Sequence, residues 1–383
     1  MQFDIIVIGA GIAGATAAAH LSGDRRVALI EAEESAGYHT TGRSAALWVQ
    51  NYGPRDVREL SRLSRAFFEA PPAGFAAVPL MRQRPVLMLA TAAQRADLDA
   101  ALSEGIGLRR IGVDAAARMV PALRPGYAAG AAIEDDAFDM DVAAIHQGFL
   151  RKLRADGGVL ALRSRASGIA RRGDLWYIET TSGPMAPGPV LQAPVVINAA
   201  GAWGDEVAAL AGARTLGLIP RRRTAAIIDP SPHDVEHWPM VLDVRERWYA
   251  RPEARTRLMV SPADATDSYP HDVRPEELDI ALGIDRMQQA LDITVRRVEH
   301  SWAGLRTFTP DGRLAFGWDP VVAGFFWSVG QGGYGIQTAP AAGRLVADMG
   351  WAAIPVKRRR SSGRSIPGVS VCKRFSGTPE HHR

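Results

Sequence analysis

Hydrophobic positions fall into short unbroken runs near the start of the chain and into alternating or helical patterns further along. Ile5 to Ile8, entered from Asp4, is a β-branched run with no polar break. That pattern predicts a strand buried on both faces. Residues 12–21 are small and helix-compatible, and Val27 to Ile30 is a second apolar run closed by Glu31. Strand, tight turn, helix and strand in so short a span is the length of one βαβ unit, about thirty residues.

Asp141 predicts an N-cap for a helix whose Val142, Ile145, Phe149 and Leu153 share one face. Strands are expected at Val159–Leu162, after Gly157-Gly158, and at Val195–Ile197, which runs on into NAAGAWGDEVAAL. Segments 79–90 and 218–261 carry more strand signals, prolines and arginines, the texture of an antiparallel sheet. The chain is therefore expected to cross between two regions several times. After Met349 the period stops, and 357–383 reads as a disordered basic tail.

Composition changes this picture in three ways. With 383 residues and 47% apolar side chains, the chain can bury a large core or two interleaved domains. The formal charge of +4 resides in the tail, where eight Lys/Arg stand against the single acid Glu380. Without the tail, 37 basic residues face 40 acidic ones, so the body gives no reason to expect a nucleic-acid partner. The single cysteine, Cys372, excludes a disulfide framework and a cysteine-based zinc site, which suits a cytoplasmic protein with no metal. Residues 5–21 are uncharged, but three glycines interrupt them and no basic segment precedes them. They are read as part of the βαβ unit, not as a signal or an integral membrane segment.

The first turn carries the most specific local chemistry. Gly9-Ala10-Gly11-Ile12-Ala13-Gly14 fits G-x-G-x-x-G between the expected strand and helix. Gly9 suits the tight turn, Gly11 lets backbone approach a pyrophosphate, and Gly14 lets helix pack on strand. The helix start offers Ile12 and Ala13 N–H groups and the positive end of a dipole to phosphate oxygens. Glu31, followed by Ala32, ends the second strand where a carboxylate can take ribose hydroxyls, and an acid there disfavours a 2′-phosphate.

Seven stretches, in one order along residues 1–350, resemble the D-amino-acid oxidase/glycine oxidase superfamily, most closely the bacterial D-arginine dehydrogenases. They are VIGAGIAGA (7–15), GYHTTGRSAA (37–46), SRAFFEAPPAGF (64–75), DMDVAAIHQGFLR (139–151), INAAGAW (197–203), EHSWAGLR (299–306) and QGGYGIQT (331–338). The resemblance implies an α/β fold, with a Rossmann-like FAD-binding domain interleaved with a substrate domain built on a mainly antiparallel sheet. It implies a discontinuous FAD-binding domain at 1–78, 141–215 and 307–356, and a substrate domain at 79–140 and 216–306. FAD would be bound noncovalently, His39 included.

The resemblance lays residues 37–46 along the flavin. Gly37 and Gly42 permit turns, Thr40, Thr41 and Ser44 supply hydroxyls, Arg43 supplies a cation, and Ala45 lies alongside. Ala200, Gly201 and Trp203 follow a strand end where a cofactor can lie on backbone. Gly332, Gly333, Tyr334, Gly335, Ile336 and Gln337 open a helix whose dipole would favour negative charge near the flavin pyrimidine. A substrate carboxylate suits an arginine, which can bind it bidentately. In Arg221-Arg222-Arg223, alternation along a strand puts Arg222 on the face opposite the other two. The resemblance assigns substrate binding to Arg223 and to Arg306, with Tyr52 and Tyr249 closing over the substrate and Gly333 offering a carbonyl to the amine.

Three departures bear on the pocket. Where the arginine-specific pattern has an acid after Arg-Pro, Val86 follows Arg84-Pro85. Leu47 stands where that pattern has histidine, and Val49 where it has threonine. With Met240 these make an apolar pocket, so the expected substrate is a D-amino acid with an apolar or aromatic side chain, oxidatively deaminated to a 2-oxo acid and ammonia. Glycine-type, secondary-amine and 2-hydroxy-acid oxidation stay open, as does a flavin-binding protein with a degenerate site. The electron acceptor, whether oxygen, a quinone or another, is not fixed by any motif.

Overall fold

The computed structural model describes residues 1–182 and 186–351. The tail expected at 357–383, with Cys372, lies outside the described residues. Two sheets dominate. The first runs, in spatial order, Ala315–Trp318, Phe325–Val329, Val195–Asn198, Ile5–Ile8, Val27–Ile30 and Val159–Ala161. All neighbours are parallel except the outermost pair, Ala315–Trp318 with Phe325–Val329.

The unbroken Ile5–Ile8 run has a direct cause. Ile5 and Val7 face three helices, Ile12–Leu21, Val142–Ala155 and Gly335–Trp351, in a core shared with Phe149, Leu153 and Val346. Ile6 and Ile8 face the other way, onto Ile169, Trp176 and Ile178 of a small antiparallel sheet. Each such side chain contributes about 2 kcal/mol by burial, so neither face tolerates a polar residue. Asp4 stays outside the strand, its carboxylate accepting the Arg26 N–H at 2.9 Å. The Ile12–Leu21 helix is made of small residues because a second helix lies almost upon it. A Cβ on Gly343 would stand 2.7 Å from that of Thr16. Asp141 caps the next helix as expected, accepting the Ala144 N–H at 2.8 Å.

The second sheet has nine strands and is antiparallel except where Met240–Asp243 lies beside Val86–Ala90. Its long strand, Ile219–Ile228, pairs along its whole length with Val298–Phe308. Leu87, Leu89, Trp248 and Val260 pack on one face with Met287 of the Glu277–Ala290 helix. Val86, Ala225, Met240, Tyr249 and Met259 gather on the other, which faces the site described next. Among the described residues no helix is long and apolar enough to cross a membrane, and no cluster of His, Cys, Asp or Glu is arranged to hold a metal.

Candidate active site

A cleft runs between the parallel sheet and the roof formed by Ile219–Ile228 and Val298–Phe308. Its floor begins at Gly9, which turns the chain out of the first strand at φ +100°. A Cβ there would stand 2.5 Å from the Ala199 carbonyl oxygen, and one at Gly14 would stand 1.8 Å from the Gly9 oxygen. Both glycines are therefore demanded by backbone packing, and Gly11, Ile12 and Ala13 are left lining the cleft at the helix start. Glu31 is held by two main-chain donors, Ala10 N–H at 2.7 Å and Glu33 N–H at 3.0 Å, and with Ala32 it lines the same cleft. His146 locks the turn from behind. Its Nε2 lies 2.9 Å from the Ala10 oxygen, and burial holds its imidazole below the ordinary histidine range.

The loop 37–46 bridges floor and roof. Thr41 Oγ1 accepts the Ile12 N–H at 3.0 Å, Thr40 Oγ1 donates to the Leu305 oxygen at 2.6 Å, and Arg43 donates to the Val273 and Ala303 oxygens and to Asp272. Ser44 Oγ accepts the Ala46 N–H. These groups, expected to face a ligand, thus already bond to protein, while Thr40, Thr41, Arg43, Ser44 and Ala45 still line the cleft. His39 lies 3.1 Å from Glu33 Oε1 and against the Trp203 ring at 4.6 Å, beside Ala200 and Gly201. Gly42 packs on the Gly37 oxygen, where a Cβ would stand 2.8 Å away.

Register resolves the three arginines. Arg221 is opposite Arg306 and Arg223 opposite Gly304, so these four share the face toward the cleft. Arg221 pairs with Asp267 at 2.8 Å and stacks on Phe308; Arg222, on the other face, pairs with Asp279 at 2.7 Å and with Glu276. Arg223 instead donates from Nε to the Asp264 main-chain oxygen at 2.6 Å, and its guanidinium lines the cleft with Arg306. Asp264 is itself clamped by Thr224, whose N–H and hydroxyl it accepts at 2.6 and 3.0 Å. Burial would raise the Tyr249 phenol, but Arg306 and Arg223 outweigh it and draw the phenol below its ordinary range.

Arg306 donates from Nη1 to the Tyr52 phenol oxygen at 2.9 Å. Tyr52 meets the Tyr334 ring edge-on at 5.0 Å, and burial, with Tyr52 beside it, pushes the Tyr334 phenol up to about 12. Gly332, at φ +51°, and Gly333 pass beneath this pair, and Gly335 and Ile336 complete the wall. Leu47, Val49, Val86 and Met240 form one apolar cluster with Tyr249 and Ala225. Two expected cofactor contacts sit elsewhere: Tyr334 lies behind Tyr52, and the Gln337 amide bonds to Val49 N–H and Ser61 Oγ in the core. The sequence reading passed over Asp264, His146 and Glu134. Glu134 carried no signal in the sequence, because it opens the acidic run Glu134-Asp135-Asp136.

The sequence matches the DAO family, described as FAD dependent oxidoreductase, over residues 4–349, and the chain belongs to that family. It is 27% identical over 175 residues to FAD-dependent oxidoreductase domain-containing protein 1 of Xenopus laevis, covering 42% of this chain and 35% of that protein. The bovine protein of the same name is also 27% identical, covering 42% and 36%. The chain thus spans about a third of the length of these curated relatives. Among solved structures it resembles glycine oxidase from Geobacillus kaustophilus, with TM-score 0.80 at 20% identity over 98% of this chain and 99% of that one. It also resembles an FAD-bound, dithionite-reduced L-alpha-glycerophosphate oxidase from Mycoplasma pneumoniae, with TM-score 0.81 at 15% identity over 91% and 95%. A third likeness is L-amino acid deaminase from Proteus vulgaris, with TM-score 0.76 at 14% identity over 93% and 95%. The chain is thus a member of a family of FAD-binding proteins. Its cleft fits FAD: side chains are missing where a diphosphate needs backbone, and the Glu31 carboxylate is held facing the cleft where a ribose belongs.

Proposed function

We propose that this protein oxidises the Cα–H of a D-amino acid with an apolar or aromatic side chain, yielding an imino acid that water converts to a 2-oxo acid and ammonia. One observation carries the reading. Arg223 and Arg306 line the FAD cleft together with Tyr249 and Ala225, Tyr249 is close enough to feel both cations, and the cluster that packs behind Tyr249 and Ala225 is built from Leu47, Val49, Val86 and Met240. Two cations beside an apolar cluster suit a carboxylate at one end of the substrate and hydrocarbon at the other.

FAD, when bound, supplies the two-electron acceptor for the hydride leaving Cα. Gly9, Gly11, Ile12 and Ala13 would hold its diphosphate and Glu31 its ribose. Residues 39–45, Ala200, Gly201, Trp203, Gly332, Gly333, Gly335 and Ile336 would flank the rest. His39, engaged by Glu33 and Trp203, favours noncovalent binding. Arg223 and Arg306 would fix the carboxylate, so that Cα is presented to the cofactor in one orientation. Tyr52 and Tyr249 would donate to the carboxylate and keep water out. The Gly333 carbonyl would accept from the neutral amine.

The D configuration rests on the likeness to D-arginine dehydrogenases, and the apolar preference on Val86, Leu47 and Val49. Glu134 is opposite Val86, yet its oxygens accept Gln50 and Asn51 donors and do not replace the missing acid. A guanidinium left unpaired there would lose several kcal/mol of hydration. The test is anaerobic reduction of the holoenzyme by D- and L-amino acids, glycine, sarcosine and 2-hydroxy acids, followed as loss of flavin colour. D-Leu, D-Phe or D-Met should bleach fastest. D-Arg ahead of them would overturn the apolar pocket, and an L-amino acid ahead would overturn the configuration. Bleaching by sarcosine or a 2-hydroxy acid alone would replace the reaction class. Peroxide on readmitting air would identify oxygen as an acceptor.

A further inference from the structure

Glu134 closes the Gly130–Glu134 strand between Val86 and Leu108, and only 1% of it is exposed. Among the described residues it has no cation within ion-pair distance. Burial raises its carboxyl above the ordinary range against hydrogen bonds from Asn51 and Gln50, and nearby Asp136 pushes it the same way. An apolar residue would fill this place without that desolvation cost. What the carboxylate does is gather donors from one turn: Gln50 N–H at 2.8 Å, Asn51 Nδ2 at 2.8 Å and Asn51 N–H at 3.4 Å.

That turn carries Tyr52. It is tied on its outer side by Asn51, which exchanges two hydrogen bonds with the main chain of Ile106, at 2.9 and 2.7 Å. Beyond it Gly53, at φ +92°, passes so close to Tyr334 that a Cβ would stand 2.8 Å from the ring. The carboxylate therefore holds the two residues immediately before the phenol that meets Arg306.

We propose that Glu134 is a positioning residue: by holding the Gln50 and Asn51 N–H groups it sets the Tyr52 phenol against Arg306, and thereby orients the guanidinium that receives a carboxylate. The last clause rests on the functional reading above. The hold on the turn does not.

The experiment compares FAD-loaded wild type, Glu134→Gln, Tyr52→Phe and the double variant. Glu134→Asp, which keeps the charge and shortens the reach, stands in if the glutamine variant does not fold. Amide hydrogen exchange at 50–53 should accelerate at least about tenfold in Glu134→Gln, with 86–90 unchanged. Benzoate, an aromatic carboxylate followed through the flavin spectrum, should bind about tenfold more weakly to that variant. The loss should vanish in the Tyr52→Phe background, because both changes break one unit. Unchanged exchange at 50–53 would overturn the proposal, and so would a benzoate loss that multiplies in full on Tyr52→Phe. If benzoate does not bind wild type, the carboxylate reading of Arg306 fails, and the exchange result alone decides whether Glu134 holds the turn.

Discussion

The Arg306 guanidinium and the Tyr52 phenol meet at 2.9 Å over a glycine that leaves them no room for anything larger. A Cβ at Gly333 would stand 2.8 Å from the phenol oxygen and 3.1 Å from Arg306 Nη1. Gly333→Ala should therefore part the pair. A hydrogen bond to a charged group is worth about 1.5–3 kcal/mol, so kcat/KM should fall about 10- to 100-fold. Tm should stay near wild type. Wild-type kinetics in this variant would show that the contact is idle.

Arg223 differs from its two neighbours in having its guanidinium on the cleft and no carboxylate partner among the described residues. Arg223→Met should raise KM about 100-fold, since truncating one partner of a buried charge pair costs about 2–5 kcal/mol. Arg221→Met, which removes a half-exposed pair with Asp267, should change KM less than about twofold. Equal effects from the two variants would refute the assignment of the clamp to Arg223.

Gly9→Ala tests the cradle. At φ +100° with backbone 2.5 Å from the new Cβ, the turn cannot keep its shape. The variant should purify without yellow colour, and added FAD should not restore it. A fully flavinylated Gly9→Ala protein would show that the turn has another way to accommodate the side chain.

His20 gives the fold an acid-sensitive point. Burial lowers its pKa to about 4, with Arg344 and Lys152 adding to the effect and a bond to the Pro340 carbonyl opposing it. The neutral form is thus the one the fold accepts, against an ordinary value of 6.5. Its contribution is complete above pH 6.5 and is lost as pH falls toward 4, by at most about 3 kcal/mol. His20→Leu should flatten that part of the Tm profile while losing about 1 kcal/mol near neutrality with the Pro340 bond. Parallel Tm–pH curves for variant and wild type would exclude His20 as the cause.

The glycine turn, Glu31 and the first two parallel strands were legible because they form one βαβ unit of about thirty residues. Alternation was enough to set Arg222 apart from Arg221 and Arg223. The resemblance, not alternation, set Arg223 apart from Arg221, and Asp267 and Phe308 supply the physical reason that Arg221 is engaged elsewhere. The hydroxyls of Thr40 and Thr41 and the Arg43 cation read as ligand contacts, because Leu305, Ile12 and Asp272 reach them only in the folded chain. Gln337 read as a cofactor contact for the same reason, its partners Val49 and Ser61 being far off in sequence. Glu134 is intelligible only once Gln50 and Asn51 are seen above it.

Residues 37–46 are fastened at Ile12 below and at Leu305, Ala303 and Asp272 above. One segment therefore belongs to the seat of both ligands. On the functional reading proposed above, a ligand that orders this segment from one side would help the other, and cofactor and carboxylate ligand would then tighten each other by the same factor. On that reading, changes at Leu47 and Val49, beyond the last of these ties, should retune which substrate fits while the seat of the cofactor stays fastened.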